Sequence, residues 1–119
     1  MTMAIIKIKS LWLRTFIGFN SDELINKQDV TIHIELETDI SADVLENDEP
    51  DDILDYKIIT KNVIDLVQNG RFKLLEVLTK RILDLVLSNK KIKWARVEVD
   101  KPHALRYSKS VSLTMEGRN

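Results

Sequence analysis

Four polar residues in this 119-residue chain have side chains that could transfer protons: Glu23, Tyr56, Glu76 and Lys101. Two carboxylates, a phenol and an amine are groups that enzymes use in general acid–base catalysis. Taken singly, the lysine and the two glutamates are explained more simply as solvated surface groups, and Glu76 also as a carboxylate that favours the positive end of a helix. Tyr56 alone is explained as a residue at the start of a helix that packs on the sheet. The four residues therefore predict chemistry only as a set that the fold must bring together.

Other kinds of chemistry have little support in the sequence. The chain has no cysteine, which excludes disulfides, thiolate metal sites and a cysteine nucleophile. Its two histidines, His33 and His103, are too far apart in sequence to predict a metal site. The acidic stretch 41–55 lacks the spaced ligands and central glycine of a calcium-binding loop. We therefore expect no bound metal and no cofactor.

The charge balance excludes two classes of partner. Eighteen basic and nineteen acidic residues give a net charge of −1, too little to attract nucleic acid or an anionic membrane. The short basic cluster Lys90–Lys93, beside Trp94, predicts a solvated turn rather than an RNA contact. Basic residues interrupt the apolar N-terminal segment, and no apolar run approaches the ~20 residues of a membrane span. We expect a cytoplasmic protein.

Hydrophobic periodicity predicts the secondary structure. Apolar residues alternate with polar ones in 30–37, and similar patterns around 6–9, 96–99 and 111–115 predict three more strands. Helical spacing in 59–67 and 75–85 predicts two helices, the first ending at Gly70 as a left-handed C-cap. The order strand, strand, helix, helix, strand, strand predicts a single α+β domain, 1–119, with a four-stranded antiparallel sheet and both helices on one face.

Three local features refine this prediction. Residues 41–55 include seven acidic residues, which predicts a solvated connection. A break in phase at Trp94 and Ala95 predicts a β-bulge. The second face of the sheet is polar, and four strands leave two unpaired edges, so several copies joined edge to edge in a closed barrel would satisfy both facts. Residues expected on that polar face include Lys7, Lys9, Thr31, His33, Glu35, Glu37, Arg96, Glu98, Ser112 and Thr114.

Four longer segments carry a family resemblance: Leu13–Gly18, Leu54–Tyr56, Arg71–Glu76 and Val99–Tyr107. From about Ile5 to Met115 the chain resembles the dihydroneopterin aldolase family, and within it the 2′-epimerase branch. The resemblance implies a ββααββ tunnelling fold. It also implies a homo-octamer of two stacked four-subunit barrels, with active sites at subunit boundaries.

The resemblance also implies a substrate, a reduced pterin with a polyhydroxylated side chain. Its ring imine accepts the electron pair released when the bond between the first two side-chain carbons breaks, so neither a lysine Schiff base nor a metal is needed. Lys101 resembles the central proton-transfer group and Glu23 its partner carboxylate. Tyr56 resembles the residue that covers the ring from a neighbouring subunit. The pterin edge would be bound by the Glu76 carboxylate and by the backbone of Leu75 and Leu54.

Two reactions remain open, because epimerisation and aldol cleavage share their first step. The run His103–Tyr107 is similar to the epimerases, whereas Pro102 is aldolase-like. Arg106, Arg14 and Lys109 could bind a substrate triphosphate, and His103 could orient the substrate. We predict epimerisation of dihydroneopterin triphosphate to dihydromonapterin triphosphate. The alternatives are an aldolase releasing 6-hydroxymethyl-dihydropterin and glycolaldehyde, and a non-catalytic oligomeric ligand-binding module.

Overall fold

Five strands and four helices make up the structure, a computed structural model that describes residues 1–119. In chain order they are β1 (Thr2–Ile17), α1 (Ser21–Ile25), β2 (Gln28–Ile40), α2 (Ala42–Asn47), α3 (Tyr56–Gln68), β3 (Arg71–Phe72), α4 (Leu75–Leu87), β4 (Ile92–Pro102) and β5 (Ser110–Arg118). None of the helices combines the length and apolar character needed to cross a lipid bilayer.

The sheet has the strand order β3-β1-β2-β4-β5. All neighbours are antiparallel except β3, which runs parallel to β1 through the pairs Phe16–Arg71 and Ile17–Phe72. The α+β class is confirmed, but the prediction of four purely antiparallel strands is wrong. A two-residue strand is too short to show an alternating pattern, and its partner lies 55 positions away in the chain, so only tertiary packing reveals it.

One face of the sheet forms the core with the two longer helices. Four apolar residues of β2, Val30, Ile32, Ile34 and Leu36, are fully buried. The helices α3 and α4 contribute one apolar stripe each to the same cluster, which confirms the two helices predicted from periodicity. Their most buried members are Ile59, Val63 and Val67 in α3 and Leu78, Ile82 and Val86 in α4.

The prediction that Gly70 ends the first long helix as a left-handed C-cap is wrong. The only glycine with a positive φ is Gly18, so Gly70 is not a left-handed cap. The cap is Asn69, whose backbone N–H donates to the Asp65 carbonyl. A Cβ on Gly70 would lie 2.4 Å from the buried Phe72 ring, so glycine is required there by close packing.

Two further local predictions can be compared with the structure. The β2–β4 pairing shifts between Glu37–Trp94 and Thr38–Ile92, which leaves Lys93 unpaired and confirms the bulge. The connection 41–55 is largely exposed, as predicted, but contains the short helix α2, capped by the Ser41 side chain.

The second face of the sheet is polar and concave. A depression of about 500 Å³ is lined by His33, Glu35, Arg96, Glu98, Thr114 and Glu116. Arg96 donates to Glu35 at 3.3 Å and to Glu116 at 3.0 Å. Glu37 departs from the predicted exposure, since it is only 8% exposed and accepts from Arg118 at 3.3 Å. The outer edge of β5 is unpaired, and that of β1 is paired only at Phe16 and Ile17.

Candidate active site

An amine and a carboxylate from distant segments meet at one end of the sheet. Lys101 lies near the end of β4, and its Nζ donates to Glu23 Oε2, on α1, at 2.6 Å. Both side chains are mostly buried, with 14% and 16% of their surfaces exposed. The hydrogen bond from Lys101 is the main cause that lowers the pKa of Glu23, against the opposing effect of burial. Glu23 is therefore ionised at neutral pH.

Glu23 is placed by the turn that leads into α1. Asn20 caps the helix: its side chain accepts from the Glu23 backbone N–H at 2.8 Å, and Glu23 Oε1 accepts from the Asn20 N–H at 3.3 Å. This reciprocal arrangement is a capping box. Gly18 has φ of 119°, and a Cβ there would lie 2.1 Å from the Glu23 carboxyl carbon. Gly18 thus permits the turn of the backbone, and its lack of a side chain leaves room for the Glu23 carboxylate.

The start of α4 lies toward the same end of the sheet. The Gly18 N–H donates to the Phe72 carbonyl at 2.9 Å, which ties the end of β1 to the segment that enters α4. The N-cap of this helix, Leu74, supplies no side-chain hydrogen bond. Glu76 lies in the first turn, exposed, and Leu75 is half-buried. Glu76 borders a depression of about 460 Å³ whose other lining residues are Val77, Lys80, Arg81, Asp84 and Met115.

Leu54 and Tyr56 lie at the opposite end of the sheet. They border a mainly apolar depression of about 370 Å³ that also includes Ile40 and Lys91. Leu54 is 7% exposed and Tyr56 51% exposed. Strand β4 runs from Ile92, at this end, to Lys101 at the other, a length of about 30 Å at ~3.3 Å per strand residue. Leu54 and Tyr56 are therefore separated from Lys101 and Glu23 by about this distance. Within one chain, the predicted site is divided into two halves.

The predicted phosphate-binding residues lie at the Lys101 end. Arg14, on β1, is engaged by the Asp29 carboxylate at 3.3 Å and by the Lys27 carbonyl at 2.9 Å. His103 and Arg106 belong to the connection between β4 and β5, and both are exposed. His103 has a left-handed backbone with φ of 63°. The Arg106 guanidinium lies 5.8 Å from the ring of Tyr107, which is 95% exposed.

Sequence reasoning overlooked two residues that this end of the sheet uses. Asn20, three positions before Glu23, could have been found from the capping pattern, in which a short polar residue is followed by glutamate at the third position. Arg71 donates from β3 to the Leu24 carbonyl of α1 at 3.2 Å, and no local signal predicts that contact. No group of three or more His, Asp or Glu side chains is arranged to hold a metal ion.

The arrangement can exchange protons with a bound hydroxyl. The hydrogen bond between the Lys101 amine and the Glu23 carboxylate is charge-assisted, and it is largely shielded from water. Its length of 2.6 Å is that of a strong hydrogen bond. Such a pair can accept a proton from a substrate and return it, provided that the substrate is held beside it.

Comparison with known proteins shows similarity across nearly the whole chain. The family model described as dihydroneopterin aldolase (FolB) matches residues 6–116. The chain is 49% identical to a dihydroneopterin triphosphate 2′-epimerase of Pseudomonas aeruginosa, over 97% of this chain and 93% of the relative. It is 28% identical to the dihydroneopterin aldolase of Escherichia coli, over 98% and 95%. The crystal structure of E. coli dihydroneopterin aldolase in complex with neopterin superposes with a TM-score of 0.87 at 26% identity, covering 96% of this chain and 98% of that one.

Proposed function

The chain belongs to the dihydroneopterin aldolase family, and we propose that it is a dihydroneopterin triphosphate 2′-epimerase. The contrast between 49% identity to an epimerase and 28% to an aldolase, at nearly equal coverage, favours this member of the family. The structural observation that carries the proposal is the contact of Lys101 with Glu23. We also propose, on family membership, a cytoplasmic location.

The proposed reaction begins with removal of the 2′ hydroxyl proton by the Lys101–Glu23 pair. The bond between the 1′ and 2′ carbons breaks, the 2′ carbon becomes an aldehyde, and the electron pair moves onto the ring imine nitrogen, which takes up a proton to give an enamine. After the aldehyde turns its other face, the 1′ carbon attacks it again and the ring nitrogen gives up that proton. The same pair returns the proton to the 2′ oxygen. Atoms and electrons balance, and only the configuration at the 2′ carbon changes.

The remaining predicted residues would hold the pterin. Glu76 would accept two hydrogen bonds from the aminopyrimidinone edge, a charge-assisted contact worth about 1.5–3 kcal/mol. The backbone of Leu75 and Leu54 would complete that edge. Tyr56 would cover the ring and assist its protonation. Arg106, Arg14 and His103 would contact the side chain and its triphosphate.

These roles require a second copy of the chain. Leu54 and Tyr56 lie about 30 Å from Lys101 by the strand spacing given above, so we propose that a neighbouring subunit supplies them. The unpaired edge of β5 and the largely unpaired edge of β1 support edge-to-edge closure into a barrel. Exposed apolar side chains also support assembly, among them Trp12 at 69%, Phe19 at 67% and Ile25 at 74%. We propose the octamer of two stacked four-subunit barrels.

Aldol cleavage is the second candidate, because Pro102 is aldolase-like and the two reactions share their first step. One assay separates it from epimerisation: purified protein is incubated with dihydroneopterin and, separately, with its triphosphate, and the oxidised pterins are resolved by chromatography. Monapterin triphosphate as the main product supports the proposal. Hydroxymethylpterin as the main product from both substrates would identify an aldolase instead.

The non-catalytic alternative is tested by Lys101→Met. Removing the amine should lower kcat/KM by about 10²–10⁴-fold, the usual contribution of a positioned acid or base, while circular dichroism and oligomer size stay unchanged. Lys90→Met is the matched control, because Lys90 is exposed at the opposite end of the sheet, where it donates to Asn119. Full turnover by Lys101→Met would refute the assigned chemistry.

A further inference from the structure

The helix that carries Glu23 has little of its own to hold it in place. It has only five residues, none of them buried, and an isolated helix of this length is unstable in water. Yet Glu23 must keep its carboxylate 2.6 Å from Lys101. The capping box of Asn20 and the turn at Gly18 secure the beginning of α1. At its end, Asn26 donates only to Asp22 of the same helix, a contact that does not tie α1 to the sheet.

Arg71 supports this end of α1 from β3. Its Nη1 donates to the Leu24 carbonyl at 3.2 Å. Its guanidinium carbon lies 3.8 Å from the centre of the Phe16 ring, its register partner on β1. A guanidinium at this distance over an aromatic face is held by cation–π attraction and stacking. Arg71 therefore links the last turn of α1 to the end of the sheet.

The electrostatics of the helix end favour the same contact. The last carbonyls of a helix lack partners within the helix and carry partial negative charge. The last turn of α1 contains no basic residue. Arg71, on strand β3, provides the cation that stabilises the C-terminal end of a helix.

We propose that Arg71, stacked on Phe16, is a positioning residue for Glu23. Arg71 holds the end of α1 so that the Glu23 carboxylate stays on the Lys101 amine, and it acts through the helix rather than on the substrate. The kinetic part of this proposal rests on the proposed function, whereas its structural part does not. Without Arg71 the helix moves, the Lys101–Glu23 contact loosens, and the pKa of Glu23 rises toward its ordinary value.

The kinetic test compares Arg71→Ala with a matched control, Lys27→Ala. Lys27 places its Nζ 5.7 Å from the same Phe16 ring, but its side chain donates no hydrogen bond to α1. Arg71→Ala should lower kcat/KM by about 10–100-fold, the scale of a misplaced catalytic group, mainly through kcat, and should move the acid limb of the pH profile to higher pH. Lys27→Ala should do neither. Equal effects of the two changes, or an unmoved acid limb in Arg71→Ala, would overturn the proposal.

Two further variants separate positioning from general damage. Arg71→Lys keeps the charge but loses the flat, forked group, so it should restore only part of the rate. Phe16→Leu removes the stacking surface and should reproduce the shifted acid limb with Arg71 still present. Full recovery by Arg71→Lys, or a normal pH profile in Phe16→Leu, would contradict a role for the stack.

Hydrogen exchange tests the structural part without any substrate. In Arg71→Ala, amides of residues 21–27 should exchange faster than in the unaltered protein, while those of the β2 core, 30–36, stay protected. Faster exchange in residues 21–27 would support the positioning role even if the unaltered protein turned over neither dihydroneopterin nor its triphosphate. That lack of turnover would refute only the proposed function. Unchanged exchange in 21–27 would refute the positioning role whatever the activity.

Discussion

At the scale of single residues, the site depends on the charge of Glu23. Its pKa lies below the ordinary value because Lys101 donates to its carboxylate. A carboxyl group with a depressed pKa in the folded state adds stability above its unfolded pKa, and that stability is lost as the pH falls through the folded value. Acid should therefore weaken the fold and disrupt the proposed catalytic pair, Lys101 and Glu23, together.

The first prediction concerns this pH dependence. Between neutral pH and pH 3, the urea midpoint of the unaltered protein should fall more steeply than that of Glu23→Gln, because the amide cannot take up the proton. Both midpoints are measured at one protein concentration, since assembly alters apparent stability. Parallel pH profiles for the two proteins would show that Lys101 does not stabilise the ionised form of Glu23.

The second prediction concerns Arg106. Arg14 is already engaged by Asp29, whereas Arg106 has no carboxylate partner and is the freer of the two for a phosphate. Arg106→Ala should raise KM for the triphosphate by about 10–100-fold, the equivalent of one charge-assisted hydrogen bond. KM for unphosphorylated dihydroneopterin should change little. Equal losses with both substrates would exclude a phosphate role for Arg106.

At the scale of elements, the end of β1, helix α1 and strand β3 form one unit. Gly18 follows β1 and has a positive φ, and the Asn20 side chain caps the beginning of α1. The Phe72 carbonyl accepts a hydrogen bond from the Gly18 N–H. These short contacts position Glu23, whereas the long helices α3 and α4 mainly supply the core. Substitutions in this unit should therefore lower activity more than they disturb the packing of the core.

The third prediction tests this unit with Gly18→Ala. The new Cβ would meet the Glu23 carboxyl group at 2.1 Å, and φ of 119° is strained for any residue with a side chain. We expect a loss of about 1–3 kcal/mol in the free energy of unfolding and a kcat/KM close to that of Glu23→Gln.

Gly117→Ala serves as its control, because Gly117 has no positive φ and its nearest contact would be the flexible end of Leu87 at 3.1 Å. It should lose less stability and keep its turnover. If Gly18→Ala kept normal turnover, the space beside Glu23 would not matter for catalysis.

At the scale of the whole molecule, the central feature is that the predicted site residues lie at the two opposite ends of the sheet. Glu23 and Lys101 lie at one end of the sheet, and Tyr56 lies at the other. Under the proposed assembly, each active site combines one half from each of two chains. Two variants that damage different halves should therefore compensate for each other.

The fourth prediction is complementation between inactive subunits. Lys101→Met and Tyr56→Phe chains are mixed, dissociated and reassembled. About a quarter of the sites in a random equal mixture should then contain two intact halves, because neighbouring subunits contribute to each site. Turnover should rise well above that of either variant alone.

The matched mixture combines Lys101→Met with Glu23→Gln, which damage the same half. No site can then be restored, so turnover should stay at the level of the separate variants. Equal behaviour of the two mixtures would mean that one chain builds the whole site.

The sequence by itself determined the α+β class, the two long helices, the main strands and the bulge near Trp94, because each leaves a repeating or interrupted pattern among near neighbours. It also indicated the residue types that could do the chemistry. Only the tertiary structure revealed β3, the close packing at Gly70 and the burial of Glu37. The pairing of Lys101 with Glu23, 78 positions apart, and the separation of both from Tyr56 were implied beforehand only by the family resemblance, and the tertiary structure shows them as a contact and as opposite ends of the sheet. Contacts of this kind depend on sheet register and strand direction, which no local pattern encodes.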